Sequence, residues 1–382
     1  MTRNFFYSAV SAGSAVFMLL LLVMAGRWLG KDQYGVFVWV VGIATIAEVF
    51  MDFGLHQITI RAIARDSTRA GQLLRTSLWL KALPGLAMVL IVGAVAFKLR
   101  SETSVRLACL AMLLSATMRS YLLTARGILQ GLERFGDDAL VTTVDRVLLF
   151  ICCAIALVAG ASVVQLSLVF LGVRIVTAGG AVILARRHVG PGTADPDLWR
   201  SLPAEALPVG LFLLVLNLYN RIDTVMLNKL QGDGPTGLYG AAYPVYEGLT
   251  YATAIISAVL IPRLSRMWVE RSPDYGRLVF RSQIGVFVLA IVIGAAAWPL
   301  AERGVLIFGP EFEPAAATLR LLLLGLPFVY VTWILHAVAI AADRTRALLV
   351  VTSIGTALNV GLNLVLIPRY SYNGAAIATV IS

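Results

Sequence analysis

The sequence predicts an all-α polytopic membrane protein with two pseudo-symmetric lobes of six transmembrane helices around a central cavity. Three observations predict this class. Apolar runs long enough to cross a bilayer recur from one end of the 382-residue chain to the other. Charged residues make up only 14% of the chain, against about a quarter in soluble domains. The two halves also carry similar short motifs in the same order.

Twelve apolar segments follow one another, of which eleven are complete. A membrane-spanning helix needs about 20 apolar residues, so each of these eleven is long enough. They lie at 8–26, 36–58, 77–97, 105–125, 141–160, 164–185, 204–227, 238–261, 278–299, 316–341 and 347–367. The twelfth begins near Asn373 and is truncated at Ser382, so the sequence leaves the total number of helices open.

A polar connection at 188–203 predicts the boundary between the lobes. It contains Gly190-Pro191-Gly192 and Asp195-Pro196-Asp197, which are typical of a linker. The N-terminal lobe is then 1–187, and the C-terminal lobe is 204–382. An even number of segments in each half gives both halves the same orientation, as in transporters built from parallel repeats.

The net charge of +10 does not indicate a nucleic-acid partner. Its basic residues cluster in short loops between the apolar runs and are more frequent on the side of the N-terminus. This bias predicts a cytoplasmic membrane protein whose N-terminus is cytoplasmic. Cysteines and histidines lack metal-site spacing, and no phosphate-cradling P-loop occurs. We therefore expect no metal, no cofactor and no catalytic residues.

The second segment carries three ionisable residues at a spacing of four. Glu48, Asp52 and His56 would share one helical face. Two carboxylates and an imidazole there could carry protons or coordinate a cation, which makes Glu48 and Asp52 candidates for ion coupling. The alternative is a fixed ion pair with Arg119 or Lys81 on a neighbouring helix.

The seventh and eighth segments contain polar residues that an ordinary anchor lacks. Asp223 and Glu247 are two further candidates for ion coupling. The candidates for contact with substrate here are Asn217, Asn220, Arg221 and Tyr243. A structural alternative is an ion pair of Arg221 with Asp223 near the outer interface, together with an interfacial belt of tyrosines.

Arg174 lies near the middle of the sixth segment, where a charge costs about 2.5 kcal/mol or more. It must face carboxylates, a cavity or an anionic ligand. Guanidinium groups match phosphate oxygens, so inward basic residues would suit a pyrophosphate. The basic candidates are Arg174, Arg119, Arg146, Arg221 and Lys81. A salt bridge of Arg174 to Glu48 or Glu247 is the competing interpretation, and Asp145-Arg146 is expected at the cytoplasmic interface.

Several motifs occur in a fixed order along the whole chain. They are Leu29-Gly30 with Tyr34-Gly35, Asp52-Phe53-Gly54-Leu55, Arg221-Ile222-Asp223, Gly237-Leu238-Tyr239-Gly240-Ala241-Ala242-Tyr243, Pro262 with Leu264-Ser265, and Gly374-Ala375-Ala376. In this order they resemble the polysaccharide-biosynthesis (O-antigen flippase-like) family of the multidrug/oligosaccharidyl-lipid/polysaccharide exporter superfamily.

The resemblance implies a function for the predicted cavity. Members of that family move an undecaprenyl-pyrophosphate-linked glycan, as in O-antigen and lipopolysaccharide synthesis, from the inner to the outer leaflet of a bacterial or archaeal membrane. The implied partners are the lipid-linked glycan, the bilayer, H⁺ or Na⁺ as coupling ion, and glycan polymerase or ligase proteins.

Three other functions compete with this flippase. A multidrug/cation antiporter of the same superfamily should have a mainly acidic and aromatic cavity, whereas basic residues nearly balance acidic ones in these segments. A membrane-embedded enzyme should carry a large external loop with catalytic groups, and the sequence has none. A scaffold without transport activity is the fourth hypothesis. We expect a flippase that is not an enzyme.

Overall fold

A computed structural model describes residues 7, 13–14, 16–190, 192, 196–342 and 344–382. This part of the chain is mostly helical and contains no strand, so the predicted all-α polytopic fold is confirmed. The helices are α1 Val16–Asp52, α2 Leu55–Arg65, α3 Ala70–Leu99, α4 Thr103–Gly131, α5 Phe135–Val158, α6 Val163–Arg187, α7 Pro196–Gln231, α8 Asp233–Val269, α9 Tyr275–Ala297, α10 Ala301–Leu306, α11 Ala315–Ala341 and α12 Thr345–Ile381. Short 3₁₀ turns lie at Ser67–Arg69 and Pro310–Phe312.

Two of the helices each carry two predicted segments. Helix α1 bends at Gly30 (φ 74°) between the first and second segments. Helix α12 bends at Ser371 (φ 53°) between the eleventh and twelfth. Within the described residues, nine helical stretches are long and apolar enough to cross a membrane. Predicted segment 8 lies in α8.

The second predicted segment ends earlier than the apolar run suggests. Phe53 (φ 42°) and Gly54 (φ 80°) take left-handed backbone conformations and separate α1 from α2. Such conformations favour glycine, which explains why the Asp52–Leu55 motif contains Gly54. A Cβ on Gly54 would also lie 2.9 Å from the backbone nitrogen of Gly210 in α7. His56 therefore belongs to α2, and the prediction of one continuous helical face from Glu48 to His56 is wrong.

The helices pack as two compact units. The first contains the described residues up to Leu29 and Val36–Arg221, and the second contains Gly30–Gly35 and Ile222–Ser382. The lobe boundary at 188–203 stays a prediction. In the first unit α4 packs most extensively on α6, and small side chains such as Ala125, Ala178 and Ala181 allow their close approach.

In the second unit, α11 packs mainly on α8, α9 and α12. The Tyr34-Gly35 motif belongs to this unit. The Tyr34 hydroxyl donates to the carbonyl oxygen of Gly240 (2.9 Å), and its ring lies 5.6 Å from the ring of Phe312. A Cβ on Gly35 would lie 1.8 Å from the carbonyl oxygen of Asp233, so only glycine allows this backbone contact.

Large apolar side chains cover much of the outer surface of both units. Examples are Leu83, Leu86 and Leu90 on α3, and Val351 and Ile354 on α12, all of which are exposed. Helices that are apolar on their outward faces are typical of chains surrounded by lipid. Polar side chains buried inside each unit are therefore the natural place to look for function.

Candidate functional site

The carboxylate of Glu48 on α1 pairs with Arg119 on α4. The Arg119 Nε donates to Glu48 Oε1 at 2.9 Å. The two side chains differ in exposure: 45% of the Arg119 side chain is accessible, against 15% of the Glu48 side chain. Nearly half of the Arg119 side chain therefore remains accessible although its guanidinium group is paired.

Asp52 follows Glu48 by four residues on α1 and pairs with Lys81 on α3. The Lys81 Nζ donates to Asp52 Oδ1 at 2.6 Å and to the carbonyl oxygen of Ser120 at 2.8 Å. Lys81 is 1% exposed, so this is a buried ion pair. The His56 backbone N–H lies 3.4 Å from Asp52 Oδ2, and its ring Nδ1 lies 2.8 Å from the carbonyl oxygen of Leu123. Both carboxylates of the predicted stripe thus have the basic partners that the structural alternative named.

Arg174 on α6 pairs with Asp145 on α5. Thr177, one turn further along α6, donates to the other oxygen of Asp145 at 2.8 Å. The direct partner of Arg174 is thus Asp145 and not the expected Glu48 or Glu247. Asp145 was expected at the cytoplasmic interface, and this stays a prediction; α5 begins at Phe135, and Asp145 lies almost three turns inside it, buried.

The two ion pairs Glu48–Arg119 and Asp145–Arg174 form one group of four charges. Arg119 also interacts electrostatically with Asp145, and Arg174 interacts with Glu48. Two acids and two bases give this group a formal charge of zero. Mutual neutralisation offsets the cost of removing charges from water, which would otherwise be several kcal/mol for each ion.

Arg146, another basic candidate of the first unit, follows Asp145 directly in sequence but has a different partner. The Arg146 guanidinium, half-buried on α5, donates to the Ser14 hydroxyl at 2.9 Å. Sequence analysis missed a further cluster at the end of α4. There Arg126 donates to both oxygens of the buried Asp138 (2.7 and 3.3 Å), and Gln130 donates to one of them at 2.9 Å.

The second unit holds a carboxylate of a different kind. Asp223 on α7 is 2% exposed and accepts three hydrogen bonds from neutral donors. These come from the hydroxyls of Thr379 (2.7 Å) and Tyr239 (2.9 Å) and from the amide of Asn363 (3.1 Å). In the part of the chain that the structure describes, Asp223 has no Lys, Arg or His partner. Neutral donors thus surround Asp223 in place of the ion pair with Arg221 that was the structural alternative.

Two amides of α12 extend the surroundings of Asp223. Asn363 donates to Asn359 Oδ1 at 2.8 Å, and both residues are fully buried. The Oδ1 atom of Asn363 has no hydrogen-bond partner among the described residues, although it is buried. A buried acceptor without a donor is costly, about 1–3 kcal/mol. The group therefore contains carboxylate, amide and hydroxyl oxygens, the kinds of atom that bind hard cations. Among the described residues, no basic side chain balances the charge of its carboxylate.

The remaining candidates lie along α7 and α8. The Asn217 side chain donates to the carbonyl oxygen of Leu213 within α7 (2.9 Å). Asn220, Arg221 and Glu247 are half-buried. Tyr243 is also half-buried, and its ring lies between the rings of Tyr239 (5.5 Å) and Tyr246 (6.0 Å).

Two family models match this chain. The model described as "Polysaccharide biosynthesis protein" matches residues 1–268, and the model described as "MatE" matches residues 208–365.

Solved structures with the same fold include two groups of transporters. The lipid II flippase MurJ, in an inward closed conformation, superposes with a TM-score of 0.80 at 15% identity, covering 99% of this chain and 84% of that one. An inward-facing multidrug resistance MATE transporter of the MOP superfamily gives 0.76 at 16% identity, covering 96% and 90%. A MOP superfamily transporter from Pyrococcus furiosus gives 0.69 at 15% identity, covering 99% and 91%. These similarities establish the fold.

The similarity to curated relatives covers only part of each chain. Two uncharacterized membrane proteins of Methanocaldococcus jannaschii are similar to parts of the chain. MJ1068 is 28% identical over 165 residues, which are 42% of this chain and 32% of the relative. MJ1375 is 23% identical over 178 residues, which are 46% of this chain and 41% of the relative. The matched part thus spans less than half the length of either relative.

Proposed function

The chain belongs to the polysaccharide biosynthesis protein family, and from this we propose that it is a lipid-linked oligosaccharide flippase. It moves an undecaprenyl-pyrophosphate-linked oligosaccharide from the inner to the outer leaflet of the cytoplasmic membrane by alternating access. Its N-terminus is cytoplasmic, its lobes are divided at 188–203, and it delivers its product to glycan polymerase or ligase proteins. The proposed cargo needs such a protein, because its polar head cannot cross hydrocarbon while its tail can remain in lipid.

The single observation that carries the substrate proposal is the accessible side chain of Arg119. Arg119 is held in place by Glu48 and still exposes 45% of its side chain. Guanidinium donors match phosphate oxygens in two-point contacts. Arg119 is therefore the proposed contact for the pyrophosphate. Arg174 is 5% exposed and committed to Asp145, so it has the role of balancing the charge of that group.

The coupling ion is proposed to act at Asp223. Glu48 and Asp52 are already neutralised by Arg119 and Lys81. Asp223 is buried among neutral donors beside the unpaired Oδ1 of Asn363, so H⁺ or Na⁺ would remove an uncompensated charge there. An ion that binds one conformation better than the other shifts their populations, as alternating access by rocking lobes requires.

A second candidate function is a multidrug/cation antiporter of the same superfamily. The match of the MatE model to residues 208–365 favours it. Arg119 would repel a cationic drug, unless the drug were attracted more strongly by Glu48. The two candidates therefore predict opposite preferences for substrate charge.

Reconstitution of the complete protein into phospholipid vesicles tests the proposal. A fluorescent polyprenyl-pyrophosphate oligosaccharide is incorporated, and quenching by a membrane-impermeant reagent reports its leaflet. We expect the protein to accelerate exchange between leaflets when an H⁺ or Na⁺ gradient is imposed. Gradient-driven ethidium transport without any acceleration of lipid exchange would refute the flippase and favour the antiporter.

A further inference from the structure

A groove of about 1100 Å³ runs along the side of the first unit. It lies between α3, α4 and α6. Its walls are mostly apolar and include Leu78, Met118, Ile175 and Val182. No residue of the four-charge group is among those that line it. The groove is therefore a separate feature of the unit.

The groove and the four-charge group use different residues of α6. Arg174 and Thr177 contact Asp145, whereas Ile175, Gly179 and Ile183 line the groove. Residues four apart share a helical face, so the groove side of α6 is continuous over more than two turns. Ile175 and Ile183 are both more than half exposed, so the groove is open along its flank.

One end of the groove is basic. Arg75, in the second turn of α3, and Arg186, in the last turn of α6, both line this end. Arg75 donates to the carbonyl oxygen of Gly192 at 3.3 Å. Neither arginine has an Asp or Glu partner in the described ranges. Two uncompensated positive charges thus lie where the apolar walls end.

Close backbone packing fixes this end of the groove. A Cβ on Gly71 would lie 2.3 Å from the carbonyl oxygen of Gly190, so the connection after α6 lies directly against the start of α3. This contact keeps the start of α3, just before Arg75, close to Gly190, just after Arg186. Trp79, one turn further along α3, lines the groove and is 59% exposed. Tryptophan is enriched at the level of lipid headgroups, which places the arginines at the same depth or closer to water.

We propose that this groove binds a membrane glycerophospholipid with an anionic headgroup. Its phosphate lies between Arg75 and Arg186, and an acyl chain lies along the apolar walls. Basic pockets between helices at the cytoplasmic surface suit anionic headgroups, and the positive-inside bias puts this end in the cytoplasm. The bound lipid bridges α3, α4 and α6 and stabilises the unit by mass action. The site does not depend on which substrate the protein transports.

The test titrates the complete, delipidated protein in detergent with defined lipids and counts the bound molecules by native mass spectrometry. The two probes are palmitoyl-oleoyl phosphatidylglycerol and palmitoyl-oleoyl phosphatidylcholine. We expect one phosphatidylglycerol to bind at a concentration on the order of tenfold lower than phosphatidylcholine. Equal binding of the two lipids would overturn the proposal.

Two pairs of variants locate the site. Gly179→Leu places a side chain in the groove, and Gly180→Leu is its matched control, since a Cβ at either glycine meets no atom within 4 Å and Gly180 does not line the groove. We expect only Gly179→Leu to abolish phosphatidylglycerol binding. Retention of the lipid by Gly179→Leu would place it elsewhere.

The second pair tests the headgroup contact. Arg75→Gln with Arg186→Gln should remove the preference for phosphatidylglycerol, and Arg187→Gln, an exposed neighbour outside the groove, should keep it. A preference that survives in the double variant contradicts the assignment of the phosphate. Displacement of the lipid by inorganic phosphate alone would show a soluble-anion site, and displacement by equimolar undecaprenyl phosphate would assign the groove to the transported lipid. Either result overturns the proposal.

Discussion

The amide nitrogen of Asn363 lies 3.1 Å from an oxygen of Asp223, across 140 residues of sequence. This contact joins α7 to α12 and adds one neutral donor to a buried carboxylate. Thr379, from beyond the bend in α12, supplies another at 2.7 Å. The bend at Ser371 thus lets one long helix present two separate stretches to the same carboxylate.

Replacing Asp223 by Asn should uncouple transport from its ion gradient. The amide has the same shape but carries no charge, so H⁺ or Na⁺ has nothing to neutralise. We expect gradient-driven lipid exchange in vesicles to fall by about tenfold or more, since one lost charge contact costs on the order of 1.4 kcal/mol or more. Glu302→Gln, at an exposed carboxylate, is the control. An Asp223→Asn protein that still responds fully to both gradients excludes Asp223 as the coupling site.

Replacing Arg119 by Gln should slow transport of a pyrophosphate lipid about tenfold or more, because a charge-assisted contact is lost. The single variant also leaves Glu48 without its 2.9 Å partner. The double variant Glu48→Gln/Arg119→Gln separates the two effects. It should recover thermal stability in detergent but not transport. Recovery of transport in the double variant would mean that Arg119 only neutralises Glu48.

Removing one partner of the buried pair of Lys81 and Asp52 should destabilise the first unit. Lys81→Met leaves a buried carboxylate uncompensated, and we expect a loss of about 3–5 kcal/mol in unfolding free energy. Adding Asp52→Asn removes that charge and should restore most of the loss. The measurement is the unfolding midpoint of each purified variant. A Lys81→Met protein as stable as the parent would contradict the buried ion pair.

Gly237→Ala should be destabilising, because its Cβ would lie 2.1 Å from the carbonyl oxygen of Lys31. The backbone must then move apart, and the loss of the packed contact is expected to cost about 1–3 kcal/mol. Gly248→Ala on the same helix meets open space, so it should be neutral or stabilise the helix by up to about 1 kcal/mol. Comparing the thermal unfolding of these two variants tests the contact. Equal effects of the two changes would argue against it.

The helices could be predicted because each apolar run is a local signal of the length of a membrane span. Their interruptions were harder to predict: the bend at Gly30 falls where a loop was expected, whereas the break at Phe53–Gly54 lies inside an apolar run. The partners Arg119 and Lys81 could be anticipated, since the second segment has two acids and few bases are available inside the first half. Asp145 was not predicted as the partner of Arg174, because the predicted fifth segment begins at 141 and leaves Asp145 near its end. The helix α5 begins earlier, at Phe135, so Asp145 lies further inside it.

The surroundings of Asp223 could not have been derived from charge patterns. Asn359, Asn363 and Thr379 are uncharged and lie in apolar segments, where single polar residues have many structural roles. A spacing of four between the two asparagines is a weak signal that they share a face. Only the folded chain relates that face to α7.

The contact of Tyr34 bears on any attempt to divide the protein into two fragments. A gene split at 188–203 would leave Tyr34 on the first product, although its hydroxyl and ring contact Gly240 and Phe312 in the second. The C-terminal product alone would have an unfilled site beside two phenylalanines, Phe308 and Phe312, and a carbonyl oxygen without its donor. It would be an incomplete folding unit, and complementary fragments should accumulate only when they are synthesised together.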